Sequence, residues 1–156
     1  MESYLQGILL IILLFCGIRD WKEHIIPNAY LIRGFSFRIL LFIHEVSTSG
    51  ADALKSFGWK FLFCLAIGGI GILVRKMTKN GVGMGDIKLS MLMFLYLEAE
   101  VWLAALIISF ILGLLWGMVL LIRGGSGRRI PFAPFLLMGT MTAVFFTCAA
   151  GGFLLK

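Results

Sequence analysis

The sequence is poor in charged residues, and this scarcity excludes an ordinary soluble domain. Lys, Arg, Asp and Glu together make up 14% of the 156 residues, whereas 60% of the residues are apolar. Soluble globular chains carry about 25% charged and roughly 45–50% apolar residues. A soluble core cannot hide so many apolar side chains, so the composition predicts a single membrane-embedded domain over residues 1–156.

Cysteine is scarce as well, and its spacing excludes two kinds of small stabilised domain. Cys16, Cys64 and Cys148 each lie alone inside an apolar segment, and no C-x-x-C pair occurs. This spacing supports neither a disulfide framework nor a zinc site, and we expect three buried thiols.

The formal net charge of +6 does not predict a nucleic-acid partner. Proteins that bind nucleic acids concentrate their basic residues on one face or along one helix. Here the basic residues are distributed between apolar runs and lack the clustered pattern, interleaved with aromatic residues, of such a surface. They are more typical of residues that set the orientation of a membrane protein.

Six apolar segments follow one another with short polar breaks between them. A helix needs about 20 mostly apolar residues to cross a bilayer. The pattern predicts an all-α, polytopic membrane bundle of about six transmembrane helices, over residues 4–18, 29–46, 57–74, 87–97, 101–122 and 131–155. The first segment has no basic region before it and no small-residue cleavage site after it, so we expect an uncleaved span rather than a signal peptide.

Two of these segments are imperfect. The fourth follows a glycine-rich loop and reaches only about 16 Å, which predicts a half-span or a helix that includes part of that loop. The second is interrupted by Arg33 and Arg38. We expect one of these arginines to reach the membrane interface and the other to face protein or a wet groove.

Loop charges predict the orientation, because cytoplasmic loops are enriched in Lys and Arg. Ten basic residues follow the first, third and fifth segments, whereas the opposite side has three, namely Lys55, Lys60 and Lys156. Both termini are therefore expected outside the cytoplasm. Asp20 and Asp86 then fall on the same, cytoplasmic side.

Two of the eight acidic residues directly adjoin apolar segments. Asp20 follows the first segment and Asp86 precedes the fourth, whereas the other six are expected in loops: Glu2, Glu23, Glu45, Asp52, Glu98 and Glu100. Two carboxyl groups a few ångströms apart share a proton, so one can take a proton from water while the other donates to a scissile carbonyl oxygen. This chemistry is typical of aspartic peptidases and requires no metal or cofactor.

Each of these two acids also has a simpler interpretation. Asp86 ends the run GVGMGD over residues 81–86. Glycines there permit an extended peptide to approach closely, but the run is equally typical of an ordinary turn with Asp86 as a helix N-cap. Asp20 alone fits a solvated loop acid paired with Arg19 or Lys22. The two residues taken separately leave these interpretations open.

Three blocks have a distinctive order and spacing: residues 20–28 are DWKEHIIPN, residues 83–89 are GMGDIKL and residues 130–135 are IPFAPF. Together they resemble the type IV prepilin peptidase family, the G-x-G-D membrane aspartyl peptidases of bacteria and archaea, whose elements are D-x6-P-N, G-x-G-D-[VI]-K-L and I-P-F-G-P-F. The resemblance covers nearly the whole chain. Ala133 departs from it, because the family usually has glycine at that position.

The resemblance implies that Asp20 and Asp86 are catalytic in an enzyme at the cytoplasmic face of a prokaryotic cell membrane. The implied partners are pilin-like precursors, which the enzyme cleaves after a glycine that separates a short basic leader from a hydrophobic helix. Membrane lipids are expected as further partners of a membrane-embedded chain. Further candidates for substrate binding or loop geometry are Gly83, Gly85, Lys88, Pro27, Asn28 and Glu23.

The resemblance also bears on methyltransferase activity. Many family members carry an extra cytoplasmic segment with two C-x-x-C pairs, which is associated with N-methylation of the new terminus. No such segment lies between Ile18 and Tyr30. We therefore expect peptidase activity without methyltransferase activity.

Other functional classes remain open at this point. A non-enzymatic assembly or scaffold subunit of a pilus or secretion machine would have the same fold. An intramembrane serine peptidase requires a deep histidine, but His24 is expected at the interface and His44 at the outer face. A transporter requires ionisable groups near the midplane, and only the short fourth segment points to this. Arg128 and Arg129 are expected to meet anionic lipid headgroups.

Overall fold

The structure, a computed structural model, describes residues 2–23, 26–79, 81–123 and 131–154. These residues form no β-strand and six α-helices: α1 (Glu2–Glu23), α2 (Asn28–Ser49), α3 (Ala51–Met77), α4 (Met84–Tyr96), α5 (Ala99–Ile122) and α6 (Ala133–Leu154). The predicted all-α fold is confirmed, because each apolar segment corresponds to one helix.

Several helix boundaries differ from the prediction. Only Gly50 separates α2 from α3, where a longer loop was expected. α4 begins at Met84, so Gly85 and Asp86 lie in its first turn, which agrees with the alternative of a helix that includes part of the glycine-rich loop. The helices continue beyond the apolar segments because backbone hydrogen bonding does not depend on apolar side chains. Five acids expected in loops are therefore helical: Glu2, Glu23, Glu45, Asp52 and Glu100.

Three helical stretches are long and apolar enough to cross a membrane: Tyr4–Glu23, Ala53–Met77 and Ala99–Ile122. Ala133–Ala149 is apolar but shorter. Large apolar side chains on these helices are extensively exposed, as surfaces that contact lipid are expected to be. The predicted helical membrane protein is confirmed, and a crossing by α2, α4 or α6 stays a prediction.

The first of two compact units comprises Met1–Ile26 and Leu97–Lys156. It contains α1, α5 and α6, and α6 packs against both of the other helices. Its fully buried side chains come from all three helices and are mostly small or branched: Leu9, Leu13, Cys16, Ala105, Ser109, Leu136 and Thr140. This packing brings the beginning of α6 to the end of α1.

The second compact unit, Pro27–Tyr96, contains α2, α3 and α4. α4 packs against α3 and α2, and seven of its residues are buried. The approach of α4 to α3 is close at Gly71, where a Cβ atom would lie 2.7 Å from Cγ2 of Ile87. α4 is therefore enclosed by its neighbours along most of its length, although it is the shortest of the described helices.

The expectation of three buried thiols is confirmed at two positions and wrong at the third. Cys16 and Cys64 are buried, but Cys148 is exposed. Cys148 lies on the outward face of α6, where the neighbouring Phe145 and Phe146 are also exposed. An apolar position in a membrane helix can face lipid as readily as protein, so an apolar segment alone does not predict burial.

Candidate active site

Asp20 lies in the last turn of α1 and is buried, with 6% of its surface exposed. Its Oδ2 atom accepts a hydrogen bond of 3.0 Å from the backbone N–H of Ala133, the first residue of α6. The first N–H groups of a helix have no acceptor within that helix, so the carboxylate satisfies one of them. A solvated loop acid does not fit this helical and shielded position.

Ala133 makes this contact although the family that the sequence resembles usually has glycine there. The residue is fully buried, and its N–H group is the donor to Asp20. Among the described residues other than glycine, only Lys79 has a left-handed φ, so the backbone at Ala133 suits alanine. The departure from the family pattern therefore leaves the hydrogen bond to Asp20 intact.

Asp86 lies in the first turn of α4 and is half-buried. Its carboxylate folds back over Gly83, the residue directly before the helix. A Cβ atom added at Gly83 would lie 2.7 Å from Oδ2 and 3.5 Å from Cγ of Asp86. Because the first distance is too short for a carbon and an oxygen that are not bonded, only glycine leaves room for the carboxylate in this position.

The loop that precedes α4 is bonded to the end of α3. Arg75, in the last turn of α3, donates a hydrogen bond of 2.8 Å from Nη1 to the carbonyl oxygen of Val82. The N–H of Gly81 donates to the carbonyl oxygen of Thr78 at 3.0 Å. Sequence reasoning did not identify Arg75 as a site residue, because its charge also fits a cytoplasmic topology signal.

Two candidate residues from different blocks contact each other in the second unit. Nζ of Lys88 donates a hydrogen bond of 3.1 Å to Oδ1 of Asn28. Asn28 is the first residue of α2, and Pro27 before it has the extended backbone of an N-cap, with φ −65° and ψ 126°. The bond therefore joins the beginning of α2 to α4, one turn or less from Asp86.

The remaining candidates have varied positions. Glu23 forms an exposed ion pair with Arg19, one turn earlier in α1, so its charge is partly compensated within its own helix. Gly85 lies in the first turn of α4, and His44 is exposed on α2. The remaining basic candidates fall outside the described residues: His24, Arg128 and Arg129.

The two candidate catalytic acids belong to different units, Asp20 to the first and Asp86 to the second. Their convergence stays a prediction. Within the part of the chain that the structure describes, no three His, Cys, Asp or Glu side chains form a group that could hold a metal ion.

A family model and one similar protein point to the same family. The model of the type IV leader peptidase family matches residues 7–118, a range that includes Asp20 and Asp86 and ends before Ala133. The prepilin leader peptidase/N-methyltransferase of Bacillus subtilis (strain 168) is 27% identical over 158 aligned residues. The alignment covers 100% of this chain and 61% of that relative. No solved structure matches the chain significantly. The chain belongs to the type IV leader peptidase family.

Proposed function

We propose that the protein is a membrane aspartyl endopeptidase that removes the basic leader peptide from type IV pilin-like precursors. Asp20 and Asp86 are its catalytic pair, and residues 1–156 form one peptidase domain. Membership of the type IV leader peptidase family supports the class of reaction and of substrate. The matched range includes both acids, which supports their assignment.

The observation that carries this proposal is that, within each compact unit, a hydrogen bond joins two of the sequence blocks. Asp20 of the first block accepts a bond from Ala133 of the third, 113 positions away. Asn28 of the first block accepts a bond from Lys88 of the second, 60 positions away. Local helix geometry does not produce contacts at such separations. The bonds therefore support the proposal that these blocks hold Asp20 and Asp86 in place, each within its own unit.

The proposed reaction is hydrolysis of one peptide bond by a single water molecule. The ionised carboxylate of the pair takes a proton from the water, whose oxygen attacks the scissile carbonyl carbon. The protonated carboxyl group donates its proton to the carbonyl oxygen. When the tetrahedral intermediate collapses, the C–N bond breaks and the first carboxyl group gives the proton it took from water to the leaving amine. The second carboxylate takes back the proton from the former carbonyl oxygen, which restores the pair.

We propose that the chain is a multi-pass protein of a prokaryotic cell membrane, with both termini outside and both catalytic acids at the cytoplasmic face. The excess of basic residues in the loops on that side supports this orientation. Membrane lipids are then partners along the exposed apolar helix faces.

We assign peptidase activity alone to this chain. The Bacillus subtilis relative carries a name that combines leader peptidase and N-methyltransferase. The two C-x-x-C pairs that the family resemblance associates with methylation have no counterpart between Ile18 and Tyr30. The new N-terminus is therefore expected to stay unmethylated.

Incubation of the purified protein with a pilin-like precursor tests the proposal. N-terminal sequencing of the product should show cleavage after the glycine that ends the leader, and its mass should show no added methyl group. The scaffold alternative predicts no cleavage under conditions in which another family member cleaves the same precursor. That result would refute the proposed activity.

A further inference from the structure

Arg38 is a charged residue in the interior of the protein that the proposed reaction does not use. It lies near the middle of α2 and is 4% exposed, whereas Arg33, one to two turns earlier, is exposed. The expectation that one of the two arginines faces protein is thus confirmed for Arg38. Removing a charge from water is costly, so a buried arginine requires specific partners.

The partners of Arg38 come from three helices of the second unit. Nη1 and Nη2 donate to the two carboxylate oxygens of Glu45, at 3.1 and 3.4 Å. Nε donates to the carbonyl oxygen of Leu95 at 2.9 Å. The guanidinium carbon lies 5.3 Å from the ring centre of Phe57. Replacing a buried ion pair by apolar residues is often neutral or stabilising, so gain in stability alone explains this arrangement poorly.

The bond to Leu95 satisfies the end of a buried helix. α4 ends at Tyr96, and the last four carbonyl groups of a helix have no donor within that helix. Leu95 and Tyr96 are both buried, so water does not readily serve these carbonyls. Arg38 supplies a donor from α2. The hydroxyl of Tyr96 returns a second bond, of 2.8 Å, to the carbonyl oxygen of Gly34.

Both ends of α4 are therefore bonded to α2. Lys88 near the beginning of α4 is bonded to Asn28, and Leu95 and Tyr96 at its end are bonded to Arg38 and Gly34. These bonds fix how far α4 can slide along α2. A helix is stiff along its axis, so a shift at Leu95 reaches Asp86, about 14 Å away at 1.5 Å per residue.

We propose that Arg38 is a positioning residue for Asp86. By binding the end of α4, it fixes the axial position of that helix and thus the depth at which the carboxylate is presented. In some coiled coils a single buried polar residue fixes the register of the packed helices. The inference rests on the proposed function for the catalytic role of Asp86, but the position of α4 is measurable without activity.

The test combines kinetics with the depth of a spin label in the membrane. The main variant is Arg38→Met/Glu45→Gln, which removes both charges and leaves no carboxylate buried without its partner. Arg33→Met is the matched control on the same helix, and Arg38→Lys retains the charge on a single donor nitrogen. The label is placed at Met84→Cys, because Met84 begins α4 and is 43% exposed, in a protein whose other cysteines are replaced by alanine.

We expect the double variant to move the label by at least about 1.5 Å, the rise of one residue. We expect kcat to fall about 100-fold, as for a reacting group misplaced by about 1 Å, with little change in KM. For Arg38→Lys, kcat and label depth should lie between those of the double variant and the wild type. Arg33→Met should change neither kcat nor label depth. An unchanged kcat, or a lower kcat with an unchanged label depth, would overturn the proposal.

Two further variants keep the test decisive. Arg38→Lys and Tyr96→Phe each weaken one bond between α4 and α2 and leave the net charge unchanged. If the double variant fails to insert, an unchanged label depth in both of these variants would also overturn the proposal. Cleavage that survives in Asp86→Asn, together with a shifted label in the Arg38 variants, would refute the catalytic role of Asp86 and leave the positioning of α4 supported.

Discussion

The side chain of Lys88 donates a hydrogen bond from Nζ to Oδ1 of Asn28, over 3.1 Å. One residue begins α2 and the other lies two positions after Asp86 in α4. The contact connects the P-N pair of the first block to the lysine that follows the G-x-G-D run. Lys88 is therefore engaged within the protein, which favours a positioning role over direct binding of a substrate carbonyl group.

Substitution of Asn28 distinguishes a positioning role of Lys88 from direct binding of substrate. Asn28→Asp keeps an acceptor for Lys88, so we expect kcat close to that of the wild type. Asn28→Leu removes the acceptor and should lower kcat by at least about tenfold, because a hydrogen bond from a charged donor contributes about 1.5–3 kcal/mol. Steady-state cleavage of a precursor measures kcat and KM for each variant. If Lys88→Met raised KM and left kcat unchanged, Lys88 would instead bind substrate.

Replacement of either proposed catalytic acid by its amide should abolish cleavage. The amide side chain that Asp20→Asn or Asp86→Asn introduces neither takes a proton from water nor donates one as an acid, and such proton transfers contribute at least about 100-fold. An amide oxygen still accepts the N–H of Ala133, so the folded protein should persist in Asp20→Asn. Precursor cleavage and thermal unfolding in detergent measure the two effects. Glu100→Gln, at an exposed acid of α5, should cleave normally.

The sequence predicted the helices well because each apolar segment carries its own signal. Hydropathy identified all six described helices, and the spacing of the blocks selected Asp20 and Asp86 from eight acids. The ends of the helices were less predictable, because polar residues continue a helix beyond its apolar part. α4 therefore begins at Met84 and includes Gly85 and Asp86, ahead of the apolar segment that starts at residue 87.

The hydrogen-bond and ion-pair partners of individual side chains could not be predicted from such local patterns. Glu45 was expected in a loop, yet it pairs with Arg38 inside the second unit. The donor to Asp20 is a backbone N–H group, which no side-chain pattern reveals. The role of Arg75 was hidden for a related reason, since its acceptor is the backbone carbonyl of Val82. Such contacts depend on how helices pack, which a single sequence does not encode in a local pattern.

Gly83→Ala should impair the enzyme without impairing its fold. The added Cβ atom would lie 2.7 Å from Oδ2 of Asp86, so the carboxylate must move away from its present position. We expect kcat to fall about 100-fold, the effect of a displacement near 1 Å, while the melting temperature changes little. The control is Gly69→Ala in α3, where a Cβ atom meets nothing within 4 Å. It should retain full activity and gain about 0.5–1 kcal/mol of stability. Equal activity of the two variants would contradict the proposed role of Gly83.

The hydrogen bond between Ala133 and Asp20 permits a test in which only a backbone group is altered. Ala133→Pro removes the N–H donor at the first position of α6, where the fixed φ of proline suits a helix. The ring carbon also occupies the direction of the lost hydrogen, so it displaces Oδ2 of Asp20. We expect the variant to fold, as judged by its helix content, and to lose about 100-fold in kcat. Ala133→Gly keeps the donor and restores the usual family residue, so it should cleave at the rate of the wild type. Full activity of Ala133→Pro would show that the N–H of Ala133 does not position Asp20 for the reaction.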